Sequence, residues 1–336
     1  MMRDYMNYEI QGALKLIEDL GRQENQIEEA KRARDRQKRE DAERRAQSIR
    51  ESLLKQLPPA VAYEFLDGTK SADAVSLRTV WQERNRRVDC LQELTSSWKE
   101  GSEYFRSNFA SPRIDLTLLP TYSFAIQFTF ALAQPYISRD EQTFYIIDNP
   151  VRKDKIFGLP YIASTSWKGS LRSALWHLDH KEEDEPIRHL FGNEKGVEEQ
   201  EKLRSGRLSF YPTFFTLKSL EIINPQDRKL RSGSNPIPFE SVPKGSEGTF
   251  TLLYIPFDLI GEEEGKTRTQ MTDELKLVVT GLQAMFQLYG FGAKTSSGFG
   301  LAREDIKGTL SIKGKEQQEA FKSFSKLVST TGNVEW

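Results

Sequence analysis

The sequence predicts an α+β protein. It reads as a ferredoxin-like antiparallel sheet domain with long inserts over residues 116–312, preceded by an α-helical N-terminal extension and followed by a C-terminal tail over 313–336. Three observations lead there. Phe124, Ile126, Phe128 and Phe130 alternate with small or polar residues, the period of a half-buried strand. Two stretches, 166–178 and 272–289, place their apolar residues at helical spacing. The segments between 116 and 306 follow in the order β–α–β–β–β–α–β, which suits one antiparallel sheet with its helices on one face.

Residues 1–57 read as a charged N-terminal helix. From Arg22 to Arg50 there are ten basic and seven acidic side chains, no Gly or Pro, and two Ile as the large apolar residues. Such a segment has few anchors for a core and is expected to be solvated or packed on a partner. Ile10, Leu14, Ile17 and Leu20 are spaced to form its docking end. Pro58-Pro59 interrupt it, and residues 58–115 read as a further helical extension, with Val75, Leu77, Val80, Trp81, Val88, Leu91 and Leu94 among polar residues.

The character changes near Pro112. Leu116–Leu119 and Ser123–Leu132 read as strands, Ser166–Leu178 as a helix, Arg207–Leu217 and Leu220–Asn224 as strands. Pro225–Lys244 is a Pro/Gly/Arg segment, Gly248–Phe257 a strand, 272–289 an amphipathic helix, and Leu301–Ile306 a last short strand. The tail carries a short helix around Phe321–Leu327.

Composition removes several function classes. With 48 Lys+Arg against 49 Asp+Glu the formal net charge is −1, which excludes a generic polycation but not a local basic groove. A single cysteine, Cys90, excludes an intrachain disulfide framework and a multi-cysteine zinc site and suits a reducing, cytoplasmic compartment. No apolar run approaches the ~18 residues of a membrane span, and no secretory signal is visible, so no membrane association is expected.

Two loops carry the chemical signal. In Gly158–Arg172, the hydroxyls Ser164, Thr165 and Ser166 fall at a helix start, where Ser or Thr caps the first amides. Lys168 and Arg172 add charge to the positive end of the helix dipole. The plain alternative is an ordinary capped helix with Trp167 in the core. The second loop, Tyr289–Gly300, holds four glycines, Lys294 and the hydroxyls Thr295, Ser296 and Ser297. Gly292, Gly298 and their neighbours would let backbone amides approach an anion. Leu288 and Ala293 stand where an ATP-binding P-loop needs Gly, and the loop follows a helix, so that reading is rejected. The plain alternative here is a tight helix-to-strand connection.

Together, PYIASTSWKGSLR (Pro160–Arg172) and GFGAKTSSGFG (Gly290–Gly300), in that order and about 120 residues apart, resemble the paired motifs of the RAMP superfamily of CRISPR-associated proteins. Ala163 and Thr165 depart from the family pattern. The resemblance covers about residues 116–310. It implies an RNA-recognition-like sheet and a guide-RNA-binding role beside other subunits of a type III effector complex, with target RNA as a second partner. Ile147–Arg152 (IDNPVR) resembles the loop of backbone subunits whose aspartate is needed for target cleavage. The matching residue is Asp148, which by that resemblance would be catalytic and would hold Mg2+ or another divalent cation. Asp-Asn-Pro is also a strong turn former. Arg152 opens a stretch to Arg172 that holds five basic residues and one acidic. Arg228, Lys229 and Arg231 lie in a basic hairpin (225–244) that resembles the family's RNA-contacting thumb, with Pro236–Phe239 as an apolar wedge. Otherwise it is a solvated basic loop.

His177, His180 and His189 read as surface histidines, the acidic stretch 179–201 as a solvated insert, Cys90 as structural, and Phe210, Phe214 and Phe215 as core strand residues. Three functions stay open: a guide-RNA-binding subunit that contributes metal-dependent target-RNA cleavage, a non-catalytic subunit capping the guide 3′ end, and a stand-alone guide-precursor processing ribonuclease.

Overall fold

The structure, a computed structural model, describes residues 19, 22–23, 26–27, 29–33, 35–56, 112–139, 149–154, 159–192, 205–223, 226–227, 232–233, 237–315 and 318–332. The chain divides into two units, Met1–Trp98 with Glu141–Asp148, and Lys99–Asp140 with Asn149–Trp336. In the first unit, α1 (Arg36–Gln56) is the charged helix. Asp35 caps it by accepting the Lys38 amide (3.0 Å), and Arg36–Glu40 and Arg39–Glu43 pair one turn apart. It is not wholly solvated, because Ala42 and Ala46 are buried one turn apart. The docking residues 10–20 and the helical extension over 58–111 lie outside the described residues.

The second unit is built on β1 (Phe124–Leu132). Phe124, Ile126, Phe128, Phe130 and Leu132 all point to the core, as their alternation predicts. Next come β2 (Tyr161–Ile162), α2 (Ser164–His177), α3 (Glu185–Phe191), β3 (Leu208–Phe210) and β4 (Thr213–Phe214). They are followed by β5 (Ser219–Ile223), β6 (Gln226–Asp227), β7 (Ser232–Gly233), β8 (Ile237–Ser241) and β9 (Glu247–Tyr254). The last elements are α4 (Glu264–Ala284), a π-turn (Met285–Tyr289), β10 (Ala302–Ile312), β11 (Glu319–Ser323) and α5 (Phe324–Gly332). The main sheet has the order β11-β10-β1-β9-β3, with every described pairing antiparallel.

Trp167 of α2 is the centre of the core between sheet and helices. It stacks on Phe286 (5.3 Å), meets Phe130 and Phe250 edge-on, and donates its Nε1–H to Thr213 Oγ1 (3.1 Å). α2 and α4 approach closely at Gly281, where a Cβ would fall 2.8 Å from the Leu175 side chain.

Several expectations are corrected. Leu116–Leu119 is a turn, not a strand: Asp115 accepts the Thr117 amide (2.8 Å) and Leu119 donates to the Leu116 carbonyl. Pro212 divides the expected strand 207–217 into β3 and β4, since it has no N–H for the ladder. α4 begins at Glu264, eight residues before the expected start, because its first two turns are mostly polar and face solvent. β10 runs on to Ile312 through Gly308, whose missing side chain makes room for Phe128 and blurs the strand pattern. The tail packs on the second unit: β11 extends the sheet, and Phe324 and Leu327 of α5 are fully buried. The acidic insert contains α3, whose Ile187, Leu190 and Phe191 join the core. No helix among the described residues is long and apolar enough to cross a membrane.

Candidate nucleic-acid interface

α2, the glycine-rich loop and the two strand-flanking arms at 136–139 and 149–154 enclose a cleft of about 440 Å³. One wall is a single face of α2. Ser166, Gly169, Ser170, Ser173, Ala174 and His177 recur at helical spacing and are small except for the last. Arg139 and Arg152 form the basic part of its rim, and Tyr289–Ala293 with Thr295 complete the lining. The two sequence motifs, far apart in the chain, therefore face one space.

Arg152 is held in place. The Arg152 amide donates to Ser138 Oγ (2.7 Å), its Nε donates to Tyr161 OH (3.0 Å), and its guanidinium lies over the Tyr161 ring, which stacks on Phe214 (5.6 Å). Tyr136 forms part of the lining, and burial pushes its phenol up to about 12, so it stays neutral.

Of the predicted first-loop residues, only Ser166 lines the cleft. The expected hydroxyl cap is absent. Ala163 is the N-cap, its carbonyl takes the Ser166 and Trp167 amides, and Ser164 and Thr165 are the first two helical residues. Lys168 and Arg172 are not among the lining residues. They lie one turn apart on another face, where Arg172 pairs with Glu182 (3.7 Å) and covers the Phe191 ring (5.1 Å). Burial, then the neighbouring Arg172 charge, lowers the Lys168 pKa.

In the second loop, Gly292 and Thr295 line the cleft, while Lys294, Ser296 and Ser297 sit on its exposed outer turn with Gly298. The Lys294 ammonium lies 4.9 Å from the Phe239 ring centre. Most of the glycines serve packing. At Gly292 (φ 91°) a Cβ would fall 2.5 Å from Tyr136, and at Gly290 (φ 77°) 2.8 Å from the Phe299 carbonyl oxygen. Gly298 alone of the loop's four glycines has open space around it.

In the basic segment, β5 pairs with β8 and β6 with β7, both antiparallel. Arg228, Lys229 and Arg231 lie outside the described residues. Phe239 is no free wedge, since it is buried and covered by Lys294, whereas Ile237 is partly exposed. Asp148 also lies outside the described residues, but the chain that follows it is pinned to β8. Glu240, fully buried, accepts the Val151 amide (3.1 Å) and the Lys153 ammonium (3.0 Å), and its own amide donates to the Asn149 carbonyl (3.0 Å). Lys218, buried near the same carboxylate, is depressed by burial to about 8. Among the described residues, no group of three or more His, Cys, Asp or Glu is placed to hold a metal ion.

Sequence reasoning missed Arg139, Ser138, Tyr136, His177 and Tyr289. His177, read as a surface residue, stacks on Tyr289 at the cleft (4.7 Å). His177 is exposed, as expected, whereas His189 is mostly covered and contacts the buried Glu274 (2.9 Å).

A family model described as the RAMP superfamily matches residues 72–303, more than half of the chain. The chain belongs to the RAMP superfamily. The match begins well before residue 116, so part of the segment ahead of β1 also belongs to the RAMP region. This RAMP protein is 29% identical over 175 residues to the CRISPR system Cms endoribonuclease Csm3 of Streptococcus thermophilus, covering 48% of this chain and 77% of that one. It is 28% identical over 180 residues to the protein of the same name from Mycobacterium tuberculosis (strain ATCC 25618 / H37Rv), covering 46% and 73%. Among solved structures, it is similar to a chain of the cryo-EM structure of the type III-B Cmr-beta bound to cognate target RNA. That likeness has 15% identity and a TM-score of 0.41, over 79% of this chain and 82% of that one. A chain of a CRISPR RNA-guided surveillance complex gives 13% and 0.39, over 56% and 68%. Both scores are too low to assign a fold by themselves.

Proposed function

We propose that this RAMP protein is a guide-RNA-binding subunit of a type III CRISPR ribonucleoprotein effector complex. The observation that carries the reading is the cleft, where both family motifs meet beside Arg139 and Arg152. Guanidiniums and small hydroxyls along a groove suit a phosphate backbone followed without reading its sequence, leaving specificity to base pairing. The Csm3 relatives support the assignment to a type III system. A ferredoxin-like core is supported by the order β10-β1-β9-β3. With α2 between β1 and β3 and α4 between β9 and β10, this is a split β-α-β arrangement.

The test is RNA binding by the full chain across a salt series. Arg139→Ala with Arg152→Ala is expected to weaken binding of single-stranded guide RNA and to flatten the plot of log K against log salt. Two lost phosphate contacts at ~0.7 each lower the slope by about 1.4. An unchanged affinity and slope would place the RNA elsewhere.

Asp148 is proposed as the carboxylate needed for target-RNA cleavage, its following segment held to β8 by Glu240. Asp148 would hold Mg2+ or another divalent cation, which would support in-line attack of a ribose 2′-OH on its phosphate. Asp148→Ala is expected to abolish cleavage of complementary target RNA by the assembled complex while guide-RNA occupancy is retained. Persistence of every cleavage product in that variant removes Asp148 from the chemistry and favours the non-catalytic cap. Specific cutting of guide precursor by the purified chain alone would instead support the processing ribonuclease.

A further inference from the structure

We infer that the stacked His177–Tyr289 pair is a nucleobase platform, on which one base of the bound strand lies while its phosphates follow the Arg139–Arg152 rim. The inference rests on the RNA-binding reading and adds a base contact to it. His177 is the last residue of α2 and Tyr289 the last of the π-turn that ends the α4 helix. The two rings lie 4.7 Å apart at 28°, and both line the cleft. The Tyr289 hydroxyl donates to the His177 backbone carbonyl (3.2 Å), which fixes the tyrosine ring against the end of α2. Tyr289 packs partly on the core, while His177 is exposed. The fold thus clamps one ring and leaves its stacking partner facing solvent.

The local backbone is built to this end. A π-turn adds a residue to the helical repeat, and such turns recur at functional sites. Gly290, at φ 77°, then turns the chain away at once. On the α2 side, Gly169, Ser170 and Ser173 keep the approach to His177 low, so a planar group is not blocked by side chains. An aromatic surface next to guanidiniums matches the two halves of a nucleotide, a π-face and a phosphate. Stacking of this kind accepts any base, which a subunit gripping a variable guide requires.

The test compares two probes of equal length on the full chain: a single-stranded RNA and its abasic counterpart, which keeps the phosphates and lacks the bases. The wild type is expected to prefer the base-bearing strand by about tenfold or more. His177→Ala with Tyr289→Leu, which keeps apolar volume at 289, is expected to lose most of that preference with its salt slope unchanged. Tyr289→Phe, which keeps the ring, is expected to retain the preference. A double variant that still prefers bases as strongly as the wild type overturns the platform while leaving the RNA reading standing. Failure of the wild type to bind either strand overturns both.

Discussion

Glu274→Ala is expected to destabilise the second unit by about 3 kcal/mol, because Arg207 Nη1 and the Tyr254 hydroxyl lose their buried acceptor while Asp258 keeps its pair with the other side of the guanidinium. Glu274 sits on α4 at 1% exposure. It accepts two hydrogen bonds from Arg207 (2.8 and 2.9 Å) and one each from Tyr254 OH (2.7 Å) and Gln270 (3.2 Å), and it contacts His189 Nδ1 (2.9 Å). Arg207 is itself buried, and its Nε and Nη2 donate to Asp258 (2.9 and 2.6 Å), while Nη1 also reaches Tyr254 OH (3.2 Å). Burial, reinforced by the Glu274 charge, raises the Tyr254 pKa and keeps its phenol a donor. This network joins α3, the residue entering β3, the end of β9 and α4. Its loss frees the helix that carries the π-turn and the glycine-rich loop. A fall in melting temperature of about 10 °C is expected, at ~2–4 °C per kcal/mol for a domain of this size. A change within about 2 °C would show that the network contributes little. Glu274→Leu combined with Arg207→Met should be milder than Glu274→Ala alone, because it removes both charges together.

Gly300→Ala is expected to cost more than about 3 kcal/mol, combining left-handed strain with a clash that the core must absorb. Gly300 has φ 71°, and a Cβ there would fall on the Phe291 carbonyl, 1.9 Å from its oxygen. The residue also closes the loop at both ends: its carbonyl accepts the Phe291 amide (3.0 Å) and its amide donates to the Pro135 carbonyl (2.9 Å). Phe291 packs on Trp167 (4.8 Å) and Phe286 (5.2 Å), so displacing its backbone opens the aromatic core beneath the cleft. Gly298→Ala is the control. It has φ 83° with no heavy atom within 4 Å of the added Cβ, and only the ~1–2 kcal/mol of left-handed strain is expected. Thermal unfolding of the two variants checks the contrast. Equal effects would mean that backbone conformation alone, and not close approach, makes these positions glycine.

Much of the fold was legible because burial repeats locally. The alternation from Phe124 to Phe130 and the spacing of Trp167, Leu171, Ala174 and Leu175 reflect which side of one strand or helix meets the core. The paired motifs were legible too, and they carried the superfamily. Polarity hid the rest. The first turns of α4 show few apolar residues, Gly308 interrupts β10, and a charged network around Glu274 looks like surface until its partners arrive from four elements.

The sequence by itself determined the α+β layout, the order of the two motifs and their joint presence. Only the tertiary structure decided which of their side chains meet. It turned Lys168 and Arg172 away from the cleft, brought Arg139, His177 and Tyr289 into it, and set Gly290, Gly292 and Gly300 against close neighbours that leave no room for a side chain. The physical reason is that a period of 2 or 3.6 residues records a side chain's face on its own element. The identity of what lies opposite is set by contacts between distant segments, such as 149 with 240 and 177 with 289, which no local pattern encodes.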